Sequence, residues 1–91
     1  MYLRDFQEII AEILECAQVD RGISKTRILY EAQLSFAQMR EYLKYLQQCD
    51  LLSFDKENRL YRTTDKGKKF LRLHDEMTKL TSGHGGGKSI E

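Results

Sequence analysis

The chain has 91 residues, of which 41% are hydrophobic and 32% are charged, a size and composition typical of one small globular domain. The sequence lacks the roughly 18 consecutive apolar residues of a membrane span, and its start lacks the basic and apolar segments of a signal peptide. Its two cysteines are too few for a disulfide framework and suit a reducing compartment. These features argue against a large multidomain enzyme, a membrane protein and a disulfide-stapled secreted module, and they predict a cytoplasmic protein.

Charge is unevenly distributed along the chain, although the formal net charge is only +1. Residues 1–23 carry two basic and five acidic side chains, a balance of −3, whereas residues 56–72 carry seven basic and two acidic side chains, a balance of +5. The basic segment suits a surface that faces a polyanion, although a solvated face that binds nothing can have the same pattern.

The first two helices are predicted from apolar spacing and from a capping residue. Apolar side chains recur at helical spacing from Leu3 to Ala17, which predicts a helix over about residues 4–19 with acidic residues on its opposite face. Ser24 is a favourable N-cap for a short second helix that runs to Glu31.

A third helix is predicted after Gln33 and Leu34, which break the pattern of the second. Ser35 and Gln38 have the spacing of a capping box, in which each side chain bonds the backbone of the other residue, and the helix extends to about Cys49. Two helices joined by such a tight turn form a helix-turn-helix unit. The stripe that the third helix is expected to bury consists of Phe36, Met39, Leu43 and Leu46.

A β-hairpin is predicted after the third helix. Residues 51–55 and 59–63 are rich in aliphatic, aromatic and threonine side chains, and they flank the polar turn 56–58. Asp50 stands where a glycine usually ends a helix, and aspartate is one of the few side chains that tolerate the left-handed conformation required there.

A fourth helix and a glycine-rich tail complete the chain. Thr64 or Asp65 is expected to cap the helix, whose apolar residues recur at heptad spacing: Phe70, Leu73, Met77 and Leu80. We therefore expect one domain over residues 1–80. The apolar stripe of the last helix, at about 65–80, is expected to cover the first helix in part and is compatible with an antiparallel contact between two copies of the chain. Residues 81–91 are expected to be disordered.

Helix, helix, helix, hairpin and helix is the order of a winged helix-turn-helix domain. The residues that fit it in detail are 24–30 (SKTRILY), 34–35, Gln38, 42–43, 51–52 and 60–67 (LYRTTDKG). In order and spacing they resemble the archaeal winged-helix family that includes small chromatin-associated "ten-a" proteins and predicted transcriptional regulators, over about residues 6–80. Two departures are the aspartate at position 50, where that family usually has glycine, and a final helix shorter than in its chromatin-type members.

The resemblance implies a fold class, a partner and an assembly. The implied fold is α+β and mostly helical, with a three-helix core, a β-hairpin wing and a C-terminal fourth helix. The implied partner is double-stranded DNA, bound by a homodimer that acts as a transcriptional regulator or as a small, nucleoid-associated chromatin protein.

The third helix is the expected DNA-reading element, because a helix fits the major groove and presents its exposed side chains to base edges. Its exposed face is predicted to carry Ala37, Gln38, Glu41, Lys44, Tyr45 and Gln48. Gln38 could read adenine or could be occupied by the capping box, and Lys44 and Tyr45 could hold phosphates. Glu41 would repel phosphate, although it could accept a hydrogen bond from the cytosine amino group.

Further candidate contacts flank this helix. The hairpin is expected to contact the DNA backbone or minor groove through Lys56 and Arg59 at its tip and Arg62 on the following strand. Lys25 and Thr26 begin the second helix, where free backbone amides favour a phosphate. Lys25 and Lys56 would serve equally well as solubilising surface residues. The complete expected set of DNA-contacting residues is Lys25, Thr26, Ser35, Gln38, Lys44, Tyr45, Lys56, Arg59 and Arg62.

The remaining tyrosines and cysteines are assigned to packing. Tyr42 is expected to lie partly in the core, and Tyr30 and Tyr61 at the core edge with their hydroxyls in water. Cys16 and Cys49 occupy helix positions where small, buried thiols are common.

No catalytic or cofactor-binding arrangement is evident in the sequence. Residues 87–89 (GKS) resemble the end of a phosphate-binding loop, but Ser82 replaces its first glycine, and the flanking strand and helix are missing. Residues 74–76 (HDE) are consecutive on a helix and point in different directions, so they do not share a metal. Because no nucleophile, base and orienting group form a set, we expect neither an enzyme nor a bound metal or small-molecule cofactor.

One alternative to DNA binding stays open, a winged-helix module that binds another protein. The near-neutral net charge, Glu41 on the recognition face and the exposed Tyr45 favour this alternative, because aromatic side chains on a face of low net charge suit protein contacts.

Overall fold

The computed structural model describes residues 5–82, with side chains described for residues 5–80. Its elements in chain order are α1 (Phe6–Cys16), α2 (Lys25–Glu31), α3 (Phe36–Gln48), β1 (Leu52–Asp55), β2 (Leu60–Thr63) and α4 (Asp65–Ser82). This order confirms the predicted mostly helical α+β class, with three helices, an antiparallel hairpin and a fourth helix. Of the predicted tail, residues 81–82 belong to α4, whereas residues 83–91, with the loop-like residues 87–89, lie outside the described residues.

α1 is shorter than its apolar spacing predicts. It begins at a capping box, in which Asp5 accepts the N–H of Glu8 at 2.8 Å and Glu8 accepts the N–H of Asp5 at 3.3 Å. The helix ends at Cys16, because the end of β2 competes for the carbonyls of its last turn. The buried Thr63 donates its hydroxyl to the Leu14 carbonyl at 2.6 Å, which fastens β2 to α1.

Capping side chains open α2 and α3 as predicted. The Ser24 hydroxyl accepts the N–H of Arg27 at 3.2 Å at the start of α2. At α3 the Ser35 hydroxyl accepts the N–H of Gln38 at 3.1 Å, and Gln38 Oε1 accepts the N–H of Ser35 at 3.0 Å. The predicted capping box is confirmed.

Left-handed residues other than glycine close α2 and α3. Gln33 follows α2 with φ 52°, and Asp50 follows α3 with φ 63°, as predicted for that aspartate. The next residue then bonds back to the helix carbonyl five residues earlier, at 3.2 Å for Leu34 and at 2.9 Å for Leu51. These are the bonds of a Schellman motif, which satisfies carbonyls at a helix end and turns the chain sharply.

The hairpin has one face toward the helices and one toward solvent. Its inward-facing pairs are Leu52–Thr63 and Phe54–Tyr61, and its outward-facing pairs are Ser53–Arg62 and Asp55–Leu60. Ile23 adds one residue of a third strand, because it exchanges backbone hydrogen bonds of 2.9 and 2.7 Å with Tyr61. β2 is therefore held between β1 and the loop that precedes α2.

The core combines α1, α2, α3 and the hairpin. Its most deeply buried members are Ile13, Leu14, Ala17, Ile28, Ala32, Met39, Leu46 and Leu52. Phe36 is 58% exposed, so its predicted place in the buried stripe is wrong. As the first residue of α3 it lies about 60° around the helix from Met39, at the edge of the stripe. Its ring is covered instead by the Arg40 guanidinium, which lies 5.7 Å from the ring centre.

The remaining tyrosines and cysteines differ in burial. Tyr42 is half-buried against the core, as predicted, but Tyr30 is exposed and Tyr61 is buried, so neither lies at the core edge. Burial raises the pKa of the Tyr61 hydroxyl. Cys16 and Cys49 are free, half-buried thiols, and desolvation raises the pKa of Cys16.

α4 packs along α1 and is fastened at its start to the end of α3. The Thr64 hydroxyl accepts the N–H of Gly67 at 3.0 Å and donates to the Asp50 carbonyl at 2.7 Å, so Thr64 is the cap. Phe70 and Leu71 are half-buried against the core. The helices within residues 5–82 include none that is long and apolar enough to cross a bilayer.

Candidate nucleic-acid interface

The solvent side of α3 is divided between two concave surfaces. Met39 and Leu46 face the core, and the opposite side of the helix is exposed. One surface lies toward α2 and β2, and the other lies toward the start of α1. Glu41 lies between them and lines both.

The first surface, which we call the cationic depression, has a volume of about 520 Å³. Its lining residues come from α2, α3 and β2: Lys25, Arg40, Glu41, Leu43, Lys44, Gln47, Gln48 and Tyr61. The fold thus brings together Lys25 and Lys44, two of the expected DNA contacts. It adds Arg40, which the sequence reasoning did not select because Arg40 lies one turn after Phe36, on the side assigned to the core.

α2 contributes one cation to the depression. Arg27 directs its guanidinium to Glu31 on the same helix, at 3.0 Å between Nε and Oε2, and Lys25 is the basic residue of α2 that lines the depression. Thr26 is exposed beside Lys25.

The second surface, which we call the aromatic pocket, also has a volume of about 520 Å³. It is lined by Phe6, Ala37, Gln38, Glu41, Tyr42 and Tyr45, none of which is basic. The Phe6 ring centre lies 5.6 Å from that of Tyr42 and 5.3 Å from that of Tyr45. A side-chain hydrogen bond with Cys49 raises the pKa of the Tyr45 hydroxyl. The expected contacts Gln38 and Tyr45 therefore lie on the opposite flank of α3 from Arg40.

The two expected roles of Gln38 use different atoms of its amide. Oε1 accepts the N–H of Ser35, so the capping role is present in the fold. Nε2 donates to no other residue within the described chain, and the side chain is exposed in the first turn of α3. Ser35 is exposed next to it.

The hairpin tip presents Lys56 and Arg59 on a turn organised by Asp55. The Asp55 carboxylate accepts the N–H of Glu57 at 3.0 Å and the side-chain amide of Asn58 at 2.8 Å. These bonds, led by that of the Asn58 side chain, hold the pKa of Asp55 below its ordinary value. Arg59 completes the turn with φ 57°, and both basic side chains are exposed.

Arg62 faces away from the cationic depression. Successive side chains on a strand alternate between faces, so Tyr61 lines the depression and Arg62 projects on the other side of the hairpin. There Arg62 borders a separate hollow of about 360 Å³ between the loop after α1 and the start of α4. The fold therefore does not bring Arg62 together with Lys25 and Lys44.

The expected dimerisation residues differ in exposure. Leu73, Met77 and Leu80 are exposed on one side of α4. Phe70 is half-buried and stacks on His74 at 5.9 Å between ring centres. The neighbouring face of α4 follows a groove along α1, so the exposed stripe is the side that α1 leaves uncovered.

Metal ligands do not cluster in the described part of the chain. Among side chains 5–80, no three His, Cys, Asp or Glu residues come close enough together to hold a metal ion.

Comparisons with known proteins agree with this architecture. No curated protein matches the chain at a significant level of sequence similarity. The crystal structure of Sso10a-2, a DNA-binding protein from Sulfolobus solfataricus, superposes with a TM-score of 0.75 at 26% sequence identity, over 88% of this chain and 84% of that one. The sequence profile of the winged helix-turn-helix family matches residues 3–82. The chain therefore belongs to the winged helix-turn-helix family.

Proposed function

We propose that this protein binds double-stranded DNA, with α3 in the major groove and the cationic depression against the phosphate backbone beside it. The observation that carries the proposal is the convergence of Lys25, Arg40 and Lys44, from two helices, beside the exposed side of α3. Basic side chains that neutralise phosphates release counterions, which is the main source of sequence-independent affinity. The family membership and the DNA-binding neighbour Sso10a-2 support the same function.

The other expected contacts are proposed to extend this interface. Lys56 and Arg59 would reach the backbone or minor groove beside α3 from the hairpin tip. The hydroxyls of Thr26 and Ser35 would donate to phosphate oxygens, and such contacts position a protein on the duplex without reading its sequence. Tyr45, whose hydroxyl bonds Cys49, would contact the duplex through its ring. Arg62, on the outer side of the hairpin, would contact a more distant phosphate.

The proposed assembly is a homodimer formed through α4. Leu73, Met77 and Leu80 form an exposed apolar stripe of the kind that pairs two helices. Leu73 and Leu80 are seven residues apart, about two helical turns, which suits a short antiparallel contact between the two copies of α4.

The proposed role is that of a transcriptional regulator or of a small chromatin protein associated with the nucleoid. The ratio of affinities for one preferred site and for random duplex distinguishes the two roles. A regulator requires a large ratio, typically at least about 10³, whereas a chromatin protein works with a ratio near one.

The test is removal of charge from the cationic depression. For each cationic depression that contacts the duplex, Lys25→Gln or Lys44→Gln is expected to weaken binding to a random duplex about five- to tenfold at 100 mM salt. Each substitution is also expected to reduce the slope of log affinity against log salt by about 0.9 per depression. Fluorescence anisotropy of a labelled duplex measures both quantities. Lys79→Gln removes the same charge from the far end of α4, where Lys79 pairs with Asp75 at the exposed surface, and is expected to change neither. Unchanged affinity in a folded Lys25→Gln, Lys44→Gln double variant would contradict this interface.

A second candidate function is docking of another protein. The aromatic pocket favours it, because three rings and Glu41 form a concave surface without basic residues. A wild-type protein that shows no affinity for any duplex at low salt would favour this function over DNA binding.

A further inference from the structure

The aromatic pocket differs from the cationic depression in the chemistry that it offers to DNA. Glu41 and amide side chains line both surfaces, but the depression adds three cations, whereas the pocket adds apolar rings and the Ala37 methyl group. Basic side chains bind phosphates and guanine, whereas a surface without basic residues contacts base edges through uncharged donors, acceptors and apolar groups. If α3 binds DNA as proposed above, the pocket side of the helix is suited to bases rather than to the backbone.

The relevant side chains lie in the part of α3 that reaches the floor of the groove. Ala37, Gln38 and Glu41 occupy the first two turns, and the first turns of a recognition helix make the base contacts in helix-turn-helix proteins. Ala37 is exposed and lies about 180° around the helix from the buried Leu46. No large side chain of α3 therefore stands between its methyl group and a base edge.

The hydrogen-bonding state of Gln38 narrows the choice of base. A bidentate contact with adenine requires both the oxygen and the nitrogen of the amide. Gln38 Oε1 already accepts the N–H of Ser35 at 3.0 Å, so its position and one of its lone pairs are fixed by the capping box. The group that remains to be used is the Nε2 donor, which suits a base that presents an acceptor.

Thymine presents such an acceptor together with an apolar group. In the major groove its O4 accepts a hydrogen bond and its 5-methyl group seeks an apolar contact, whereas guanine is read best by arginine or lysine. We propose that the first two turns of α3 read thymine, with Gln38 Nε2 donating to O4 and Ala37 packing on the 5-methyl group. Phe6 and Tyr45 line the same pocket and add apolar surface beside this contact. The inference rests on the proposed DNA binding.

The experiment removes the thymine methyl group without changing base pairing. Dissociation constants are measured at one low salt concentration for a duplex containing thymine and for the same duplex with deoxyuracil at every thymine. The wild-type protein is expected to bind the deoxyuracil duplex about fourfold more weakly, the effect of one methyl group. A duplex of G·C pairs and its 5-methylcytosine counterpart, which restores a methyl group at the same position, are expected to show a preference for the methylated form.

Two variants separate the methyl contact from the hydrogen bond. Ala37→Ser adds a polar hydroxyl at an exposed position, and it is expected to bring the ratio between the thymine and deoxyuracil duplexes close to one. Gln38→Glu keeps the oxygen of the capping box but removes the donor. It is expected to keep the ratio between the thymine and deoxyuracil duplexes. It is also expected to reverse the wild-type preference for thymine over 5-methylcytosine, about fivefold for one hydrogen bond, because a carboxylate accepts from the cytosine amino group and cannot donate to thymine O4.

The outcomes distinguish this inference from the function on which it rests. If the wild type binds the deoxyuracil and thymine duplexes with equal dissociation constants, and both strongly and with salt dependence, the proposal that α3 reads thymine is overturned. The proposal of DNA binding then still holds. A ratio of four that persists in Ala37→Ser overturns the assignment of the methyl contact to Ala37. Absence of binding to every duplex at low salt refutes DNA binding itself.

Discussion

Gln33 and Asp50 occupy the same backbone conformation at equivalent places, the ends of α2 and α3. Both have positive φ, at 52° and 63°, in Schellman motifs that usually contain glycine. The left-handed conformation costs most residues about 1–2 kcal/mol, because Cβ approaches the following carbonyl oxygen. Aspartate tolerates this conformation better than glutamine, so the cost is larger at Gln33.

Replacement of Gln33 by glycine is therefore expected to stabilise the fold. We expect Gln33→Gly to raise the free energy of unfolding by about 0.5–1 kcal/mol, and Asp50→Gly to raise it by less. Gln33→Ala removes the same side chain but keeps a Cβ in the left-handed conformation, so it should not raise the free energy of unfolding. Urea denaturation measures all three values. A gain in Gln33→Ala equal to that in Gln33→Gly would show that the side chain, rather than the backbone, is the source.

Position 67 requires glycine because the backbone of α4 lies close to the backbone of Leu51 there. A Cβ at this position would overlap the Leu51 carbonyl oxygen and would lie 2.6 Å from Cγ2 of Thr63. Alanine normally stabilises a helix relative to glycine by about 1 kcal/mol. Here the overlap reverses the sign, because the Leu51 backbone carbonyl cannot rotate away as a side chain can.

We expect Gly67→Ala to destabilise the protein by about 2–3 kcal/mol, as overpacking does elsewhere. Thermal unfolding followed by circular dichroism measures the loss. Lys69→Ala, at an exposed position on the same helix, is the control and should stay within about 0.5 kcal/mol of the wild type. A Gly67→Ala variant more stable than the wild type would contradict the close packing of α4 on Leu51.

At the scale of the element, the hairpin tip depends on an ionised carboxylate. Asp55 accepts hydrogen bonds from the Asn58 side chain and from the Glu57 backbone, and its pKa lies below its ordinary value. A carboxyl whose pKa is lower in the folded state stabilises that state above the unfolded pKa of about 3.9. This contribution is lost as the pH falls through the folded pKa.

The hairpin turn is accordingly expected to loosen in acid. The difference in stability between the wild type and Asp55→Asn should be present at pH 5–6 and should vanish in acid, once the carboxyl of the folded protein is protonated. An NMR titration of the Asp55 carboxyl carbon gives the folded pKa directly. A midpoint at or above 3.9 would show that the turn does not depend on the charge.

Elements defined by local interactions could be predicted from the sequence. The Ser35–Gln38 capping box, the left-handed Asp50 and the hairpin each depend on residues close together in the chain, and all three are confirmed. The length of α1 could not be predicted in this way. Its end is set by Thr63, which is 49 positions away from its partner Leu14 in the chain.

The candidate site was less predictable than the fold, because it depends on which neighbours each face of an element meets. A heptad-like spacing places Phe36 with the buried residues of α3, yet its side chain is exposed beside the Arg40 guanidinium. The direction of Arg62 follows from strand register, which depends on how the turn closes. Neither the exposure of Phe36 nor the direction of Arg62 can be predicted from the residue spacing within one segment.

At the scale of the whole molecule, the net charge of +1 conceals two surfaces of opposite character. Glu8, Glu12 and Glu15 of α1 border the groove between α1 and α4, whereas the cations from α2 and α3 line the cationic depression. A polyanion is therefore attracted to one surface and repelled by the other, which would orient the molecule in the proposed complex with DNA independently of its net charge.

If two chains pair through the exposed stripe of α4, as proposed above, two such surfaces act together. Leu73 and Met77 are 56% and 47% exposed and lie outside the core, so a Leu73→Ser, Met77→Ser double variant should fold as the wild type does. We expect the wild type to have the mass of two chains by sedimentation equilibrium, and the double variant the mass of one. Because a dimer presents two cationic depressions, the double variant should also show about half the salt slope in duplex binding.

The control for this pair of substitutions is Tyr30→Ser. Tyr30 is 75% exposed on α2, so its removal deletes a comparable apolar surface away from α4 and should leave the dimer intact. If Tyr30→Ser lowers the mass measured by sedimentation equilibrium as much as the double variant does, the association is nonspecific, through exposed apolar groups, rather than a pairing of α4. A wild type that remains a monomer at high concentration would rule out the dimer, and the cationic depression of one chain would then have to account for the whole salt slope.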